Sequence, residues 1–315
     1  MAIGGTGTIV APRHGSAPLA GIALIVGAAL CFTLLDTTIR YLGPLVPVLV
    51  LLWARYAIQA LLMGGWIAVD ARKSFRSQHP RFQALRGVLL LASSAFGFFA
   101  LQYMPVPEFT SINMLTPVLV TLLAVWLLGE RVSRLRWILV CLCLVGALIV
   151  IRPGSGLFGW AALLPAGAAV SYALFQVLTR RLSGHDSPYT THFYTGLVGA
   201  LAMSGLVLAI PLDVLPALRG LHAGHLTLLA GAGLLATIGH LLLVFALDQA
   251  PASTLMPFLY VQIALAALVS WLVFGTLPDG WSWLGMTIIG GCGAASGWLD
   301  MRRAQSALEV DPATE

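Results

Sequence analysis

The stretch FTLLDTTIRYL, residues 32–42, places an aspartate and an arginine four residues apart in a run otherwise composed for hydrocarbon, and Arg55 follows in WARYAIQ. A charge at the centre of a bilayer costs at least about 2.5–3.5 kcal/mol on insertion scales, so such a group faces a partner or a water-filled cavity. The i,i+4 spacing lets Asp36 and Arg40 pair along one helix. Counted at 1.5 Å per residue from the turn at Gly43 and Pro44, Asp36 lies roughly 12 Å and Arg55 roughly 17 Å below it. An Asp36–Arg55 bridge between neighbouring helices is therefore feasible too. Two readings stay open. In one, the bridge staples the first hairpin while Arg40 snorkels to the outer headgroups. In the other, one or both charges face a cavity and meet a zwitterion or a proton.

Further polar residues fall at comparable depth: Gln59, Asn113, Thr116, Tyr172, Gln176, His192, Tyr194, His240, Tyr260 and Gln262. A lone Gln or Tyr inside a membrane is more often an interhelical hydrogen-bond partner than a ligand contact, and a packing role is the plainer one for His192 and His240. Trp66, Trp126, Trp160, Trp271, Trp281 and Trp283 read as anchors at the membrane interfaces, whereas Trp53 is deeper. The candidate substrate contacts are Asp36, Arg55, Trp53, Asn113, Tyr172, Gln176, His240, Tyr260 and Gln262. Pro117 and Pro257 are expected to bend their helices and free carbonyls, as gates or for packing. Cys31, Cys141, Cys143 and Cys292 read as small packing residues, with no metal or cofactor expected.

These residues sit in a chain of 315, of which 59% are hydrophobic and 9% charged, against roughly 25% charged in a soluble domain. An α-helix needs about 20 apolar residues to cross the hydrocarbon. Ten spans qualify: 19–42, 45–69, 85–104, 108–128, 136–151, 157–180, 189–210, 225–248, 252–274 and 282–301. Their continuity argues against a β-barrel, whose strands alternate over about ten residues. The expectation is an all-α integral membrane protein. The first span is too long for the apolar core of a signal peptide and is expected to be retained.

The net charge of +5 does not point to nucleic acid once the 17 basic residues are placed. With a cytoplasmic N-terminus, 13 fall inside, Arg152 and Arg219 fall outside, and Arg40 and Arg55 are embedded, which is the positive-inside pattern. Both termini are expected in the cytoplasm, as tails over 1–18 and 302–315, disordered through residue 18 and from 304 onward. Arginine-rich usage, with Lys73 the only lysine, suits a GC-rich bacterium and hence an inner membrane.

The two halves repeat. At an offset of 146, Gly87 meets Gly233, FAL at 99–101 meets FAL at 245–247, Pro105 meets Pro251, Gly129 meets Gly275 and Trp137 meets Trp283. Offsets of 140 and 141 align the first two helices of each half, pairing Asp36 with Gln176 and Trp53 with Tyr194. The expected domains are five-helix repeats over 19–151 and 157–301. Five is odd, so the second copy enters the membrane from the opposite side, giving the inverted-topology repeat of many secondary transporters, with the substrate site near the midplane.

The segment ALQYMPVPEFTSINMLTPVLVTLLAVWLLGERVS, 100–133, resembles EamA-type proteins of the drug/metabolite transporter superfamily: Ala100, Leu101, Tyr103 and Pro105, then Pro117, then Gly129, Glu130 and Arg131. The second half keeps Ala246, Leu247, Pro251 and Gly275 but carries Thr276 and Leu277 in place of the Glu and Arg. The resemblance implies a ten-helix secondary transporter, often an exporter of amino acids or other small metabolites, with YddG-like exporters the first group to consider. No Walker A sequence or zinc-type HExxH is present, and the acidic residues are scattered rather than clustered. The function expected is alternating-access export of small polar metabolites, amino acids first, driven by a gradient that includes protons among its candidates. The alternatives are export of another metabolite or drug-like compound, or membrane enzymology.

Overall fold

A computed structural model describes residues 18–70, 73–128, 134–152, 157–182, 186–210, 219–249, 255 and 258–309. Every regular element among them is helical: α1 Pro18–Leu42, α2 Val48–Val69, α3 Pro80–Tyr103, α4 Val106–Asn113, α5 Thr116–Leu128, α6 Arg134–Ile151, α7 Leu163–Leu182, α8 Pro188–Ala209, α9 Ala223–Gln249, α10 Val261–Phe274 and α11 Gly280–Glu309. A 3-10 turn, Gly159–Ala162, leads into α7. Six helices are long and apolar enough to cross a membrane, and Trp137–Ile151 and Val261–Phe274 are shorter apolar helices. The outward faces are correspondingly greasy, with Leu208 86% exposed and Leu61 75%. The chain is a multi-pass membrane protein.

The helix ends follow local chemistry. Pro80 and Pro188 open α3 and α8, where a missing N–H costs nothing. Ser187 caps α8 by accepting from the Thr190 N–H at 3.1 Å, and Asp279 accepts from the Ser282 N–H at 2.8 Å at the start of α11. Gly275, at φ 67°, ends α10 in the left-handed conformation that glycine adopts without strain.

Packing pairs α1 with α9, α3 with α7, α2 with α8 and α6 with α11, then α2 with α9, α3 with α8, α1 with α10 and α5 with α7. Exchanging α1, α2, α3, α4–α5 and α6 for α7, α8, α9, α10 and α11 leaves this pairing unchanged. Close approach is bought with glycine. A Cβ on Gly199 of α8 would lie 2.3 Å from the Tyr56 ring of α2, and one on Gly285 of α11 would lie 2.6 Å from the Gly146 carbonyl oxygen of α6.

Three expectations change. The span 108–128 is two helices, broken at Met114 and Leu115, and Pro117 stands in the first turn of α5, where it starts a helix instead of bending one. Thr116 Oγ1 donates to the Asn113 carbonyl at 2.7 Å across this break. Helix α3 begins at Pro80, before residue 85, because polar Gln83 and Arg86 are taken into the bundle. Helix α11 runs to Glu309, past the expected onset of disorder at 304. Pro257, Pro251 and Gly129–Arg131 lie outside the described residues.

Candidate functional site

Arg55 is the centre of the bundle's polar interior. Its side chain is 3% exposed, and Nη1 donates to Ser94 Oγ of α3. Ser94 donates to the Leu90 carbonyl at 2.8 Å and also meets the Tyr56 hydroxyl at 2.8 Å, so its one proton and two lone pairs are all used. The guanidinium stands 4.5 Å over the Tyr56 ring and 5.8 Å from that of Phe98, while its Nε has no partner. Arg55 is close enough to act electrostatically on Asp36, Tyr172, His192 and His240. One buried positive charge thus contacts Ser94 of α3 and lies within electrostatic range of groups on α1, α7, α8 and α9.

Asp36 makes no ion pair with Arg40 or Arg55 among the described residues. It is half-buried, and its carboxylate is left for water or a ligand. Arg40 does not snorkel to headgroups; its Nη1 donates to the Leu101 carbonyl at 2.6 Å. Both changes have one cause: each arginine finds a neutral oxygen on α3 that is nearer than the aspartate.

A second cluster joins α2, α8 and α9. Gln59 Nε2 donates to the His192 carbonyl at 3.0 Å and lies 3.4 Å from His192 Nδ1. The His192 and His240 rings stack with centroids 5.6 Å apart, and Phe32 meets His240 edge-on at 4.9 Å. His240 Nδ1 donates to the Ala236 carbonyl at 2.8 Å. At the repeat offset of 146, His240 falls on Ser94, so the partner of Arg55 and the partner of His192 occupy like places in the two halves.

Polar contacts also close both ends of the bundle. At the end carrying the α2–α3 and α7–α8 loops, Asp186 accepts from Ser77 Oγ at 2.5 Å, the Gln78 N–H at 2.9 Å and Gln83 Nε2 at 2.7 Å. Partial burial pushes the Asp186 carboxyl up, but these bonds and nearby His79 outweigh it and hold it below its ordinary 3.8. Arg86, 3% exposed, continues the network by donating to Gln83 Oε1 at 2.7 Å and Thr179 Oγ1 at 2.9 Å. At the opposite end Arg152 pairs with Asp279 at 2.7 Å and reaches Ser282 at 3.3 Å. Hydrogen bonds from Ser282, backbone first, and the Arg152 charge hold Asp279 below 3.8 as well. Buried Glu108 of α4 lies beside this pair.

Of the sequence candidates, Asp36, Tyr172 and His240 lie within electrostatic range of Arg55. Trp53 instead donates to Ser204 Oγ at 2.9 Å. The Tyr260 ring sits so close to Gly293 that a Cβ there would be 2.0 Å from it, beside Cys143 and Cys292 and apart from Arg55. Gln262 is buried in α10, Gln176 is half-buried on α7, and Asn113 holds an unpartnered Oδ1 at the α4–α5 break. Ser94, Tyr56, Gln83, Asp186 and Glu108 were not expected, and Arg86 was assigned to the cytoplasmic face. The repeat offset from His240 would have found Ser94.

A family model, the EamA-like transporter family, matches residues 19–152 and again 159–294. The chain belongs to the EamA-like transporter family. Among its relatives is the riboflavin transporter of Vibrio cholerae, 31% identical over 277 residues that cover 86% of this chain and 91% of that protein. The S-adenosylmethionine uptake transporter of Rickettsia prowazekii is 22% identical over 83% of this chain and 86% of that protein. A solved crystal structure shares the fold at a TM-score of 0.66, with 18% identity, over 91% of this chain and 99% of that one. EamA membership places the chain in the drug/metabolite transporter superfamily as a transporter of small molecules.

Proposed function

We propose that this EamA-like protein is a bacterial inner-membrane carrier for a planar, nitrogen-containing aromatic metabolite of the riboflavin kind. It works by alternating access between two inverted five-helix halves, with both termini in the cytoplasm. The observation that carries the reading is the polar and aromatic lining of the interior: buried Arg55, whose Nε has no partner among the described residues, stands over the Tyr56 and Phe98 rings, the His192 and His240 rings stack, and Asp36 has no ion pair among the described residues. Helices of both halves supply it, as a midplane site at a repeat interface requires. The packing pattern that survives exchange of the halves supports the inverted repeat, and the odd helix number sets its sense.

This lining favours an aromatic solute over a free amino acid. An amino acid's ammonium and carboxylate ask for paired opposite charges at close range, and Arg55 instead stands over the rings of Tyr56 and Phe98. The riboflavin transporter relative supports the same substrate class. The test is uptake of labelled riboflavin, S-adenosylmethionine and an amino-acid panel by proteoliposomes containing the purified protein. Saturable riboflavin flux that unlabelled riboflavin suppresses is the expected result. Amino-acid flux without riboflavin flux overturns the substrate class, and no flux in any arm overturns the transport reading.

A further inference from the structure

The hydrogen-bond partners of His192 and His240 assign their tautomers. Gln59 Nε2 must present a proton to the His192 carbonyl, so this side-chain nitrogen is the group that also faces His192 Nδ1. His192 Nδ1 is then the acceptor and Nε2 carries the ring proton. His240 is the reverse. Its Nδ1 gives a proton to the Ala236 carbonyl, leaving a lone pair on Nε2. Both Nε2 atoms are buried and have no partner among the described residues, and neither has Gln59 Oε1. An unmet donor on one ring and an unmet acceptor on its stacked neighbour, 5.6 Å away between centroids, make a complementary pair awaiting a third group. Leaving such atoms unsatisfied is costly.

We propose that His192 and His240 form a reading site for the edge of a planar heterocycle that carries a ring C=O next to a ring N–H: His192 Nε2–H donates to the carbonyl and His240 Nε2 accepts from the N–H. This rests on the transport of an aromatic metabolite proposed above. The lactam edge of a flavin's pyrimidine ring has that pattern, and Phe32 packs edge-on against His240. An adenine edge also sets an acceptor beside a donor, but charge separates the two sources. Arg55 and Arg86 both act on the histidine pair, so a neutral ring is preferred to the cationic S-adenosylmethionine. Both Nε2 atoms are buried in this arrangement, so the ligand reaches them in a more open one.

The test is binding to the detergent-purified full chain by flavin fluorescence quenching, with riboflavin, its N3-methyl derivative and S-adenosylmethionine as competitor. Riboflavin is expected to bind at least about tenfold more tightly than N3-methylriboflavin, which has lost the ring N–H. His240→Phe, which keeps a ring but no acceptor, brings the ratio close to one; His240→Leu serves if the phenylalanine variant does not fold. Equal binding of the two flavins to wild type overturns the histidine site while leaving the transport reading intact. A ratio that survives loss of His240 also overturns it. Absence of riboflavin binding overturns the substrate class itself, and displacement by equimolar S-adenosylmethionine overturns the preference for a neutral ring.

Discussion

Asp36 and Arg55 are both embedded charges, yet they differ in what holds them. Arg55 is wrapped by Ser94, Tyr56 and Phe98, whereas Asp36 has no ion pair among the described residues. A staple would make Asp36→Asn costly, since removing one partner of a buried pair costs about 3–5 kcal/mol. Here Asp36→Asn is expected to leave the thermal melting point within a degree or two and to reduce initial riboflavin uptake at least about tenfold, read side by side on one preparation. Arg55→Met removes a buried charge and leaves the Tyr56–Ser94 contact in place, so melting is unchanged or raised while uptake is lost. The candidacy of these two residues was legible because charge in an apolar run is conspicuous. Their separation was not, because it depends on Ser94 and the Leu101 carbonyl arriving on α3 from another part of the chain.

Helix contacts in this bundle turn on glycines at crossing points. Gly285 faces backbone: its Cβ would meet the Gly146 carbonyl oxygen at 2.6 Å, and a helix backbone cannot move aside as a flexible side chain can. Gly285→Ala is expected to cost about 1–3 kcal/mol, seen as a lower melting temperature. Gly291, on the same helix, has nothing within 4 Å of its Cβ position. Gly291→Ala is therefore neutral or stabilising by about 0.4–1 kcal/mol. Helix positions were legible from apolar length, and most boundaries match within a few residues. The break at Met114 and the early start of α3 were not, since the first needs the Thr116–Asn113 bond and the second needs α7 and the Asp186 loop to satisfy Gln83 and Arg86.

For the whole molecule, Asp186 ties the α2–α3 and α7–α8 loops together, and the alternating-access mechanism proposed above requires this tie to open. A Ser77→Cys, Asp186→Cys pair in a background without Cys141, the exposed native thiol, is expected to stop uptake when oxidised and restore it on reduction; undiminished flux in the oxidised protein means that this end need not open. The tie is also a pH element with a definite sign. A carboxylate whose folded pKa lies below its ordinary 3.8 contributes stability above that value and loses it as pH falls through the depressed one. The melting difference between wild type and Asp186→Ala is thus expected to shrink as the pH falls below 3.8. Asp279 obeys the same rule at the other end.

By itself the sequence determined that this is a helical, multi-pass membrane protein with a doubled EamA-like plan, because apolar length, basic asymmetry and repeat spacing are properties of the chain in order. It also located most of the buried polar residues, since each is costly in hydrocarbon wherever it ends up. Only the tertiary structure decided which of them meet. Arg55 chose Ser94 over Asp36, Arg40 chose the Leu101 carbonyl, and Arg86 is buried against Gln83 and Thr179. A buried donor takes the nearest acceptor in three dimensions, and that distance is set by helix crossings that bring residues 93 or 133 positions apart into contact.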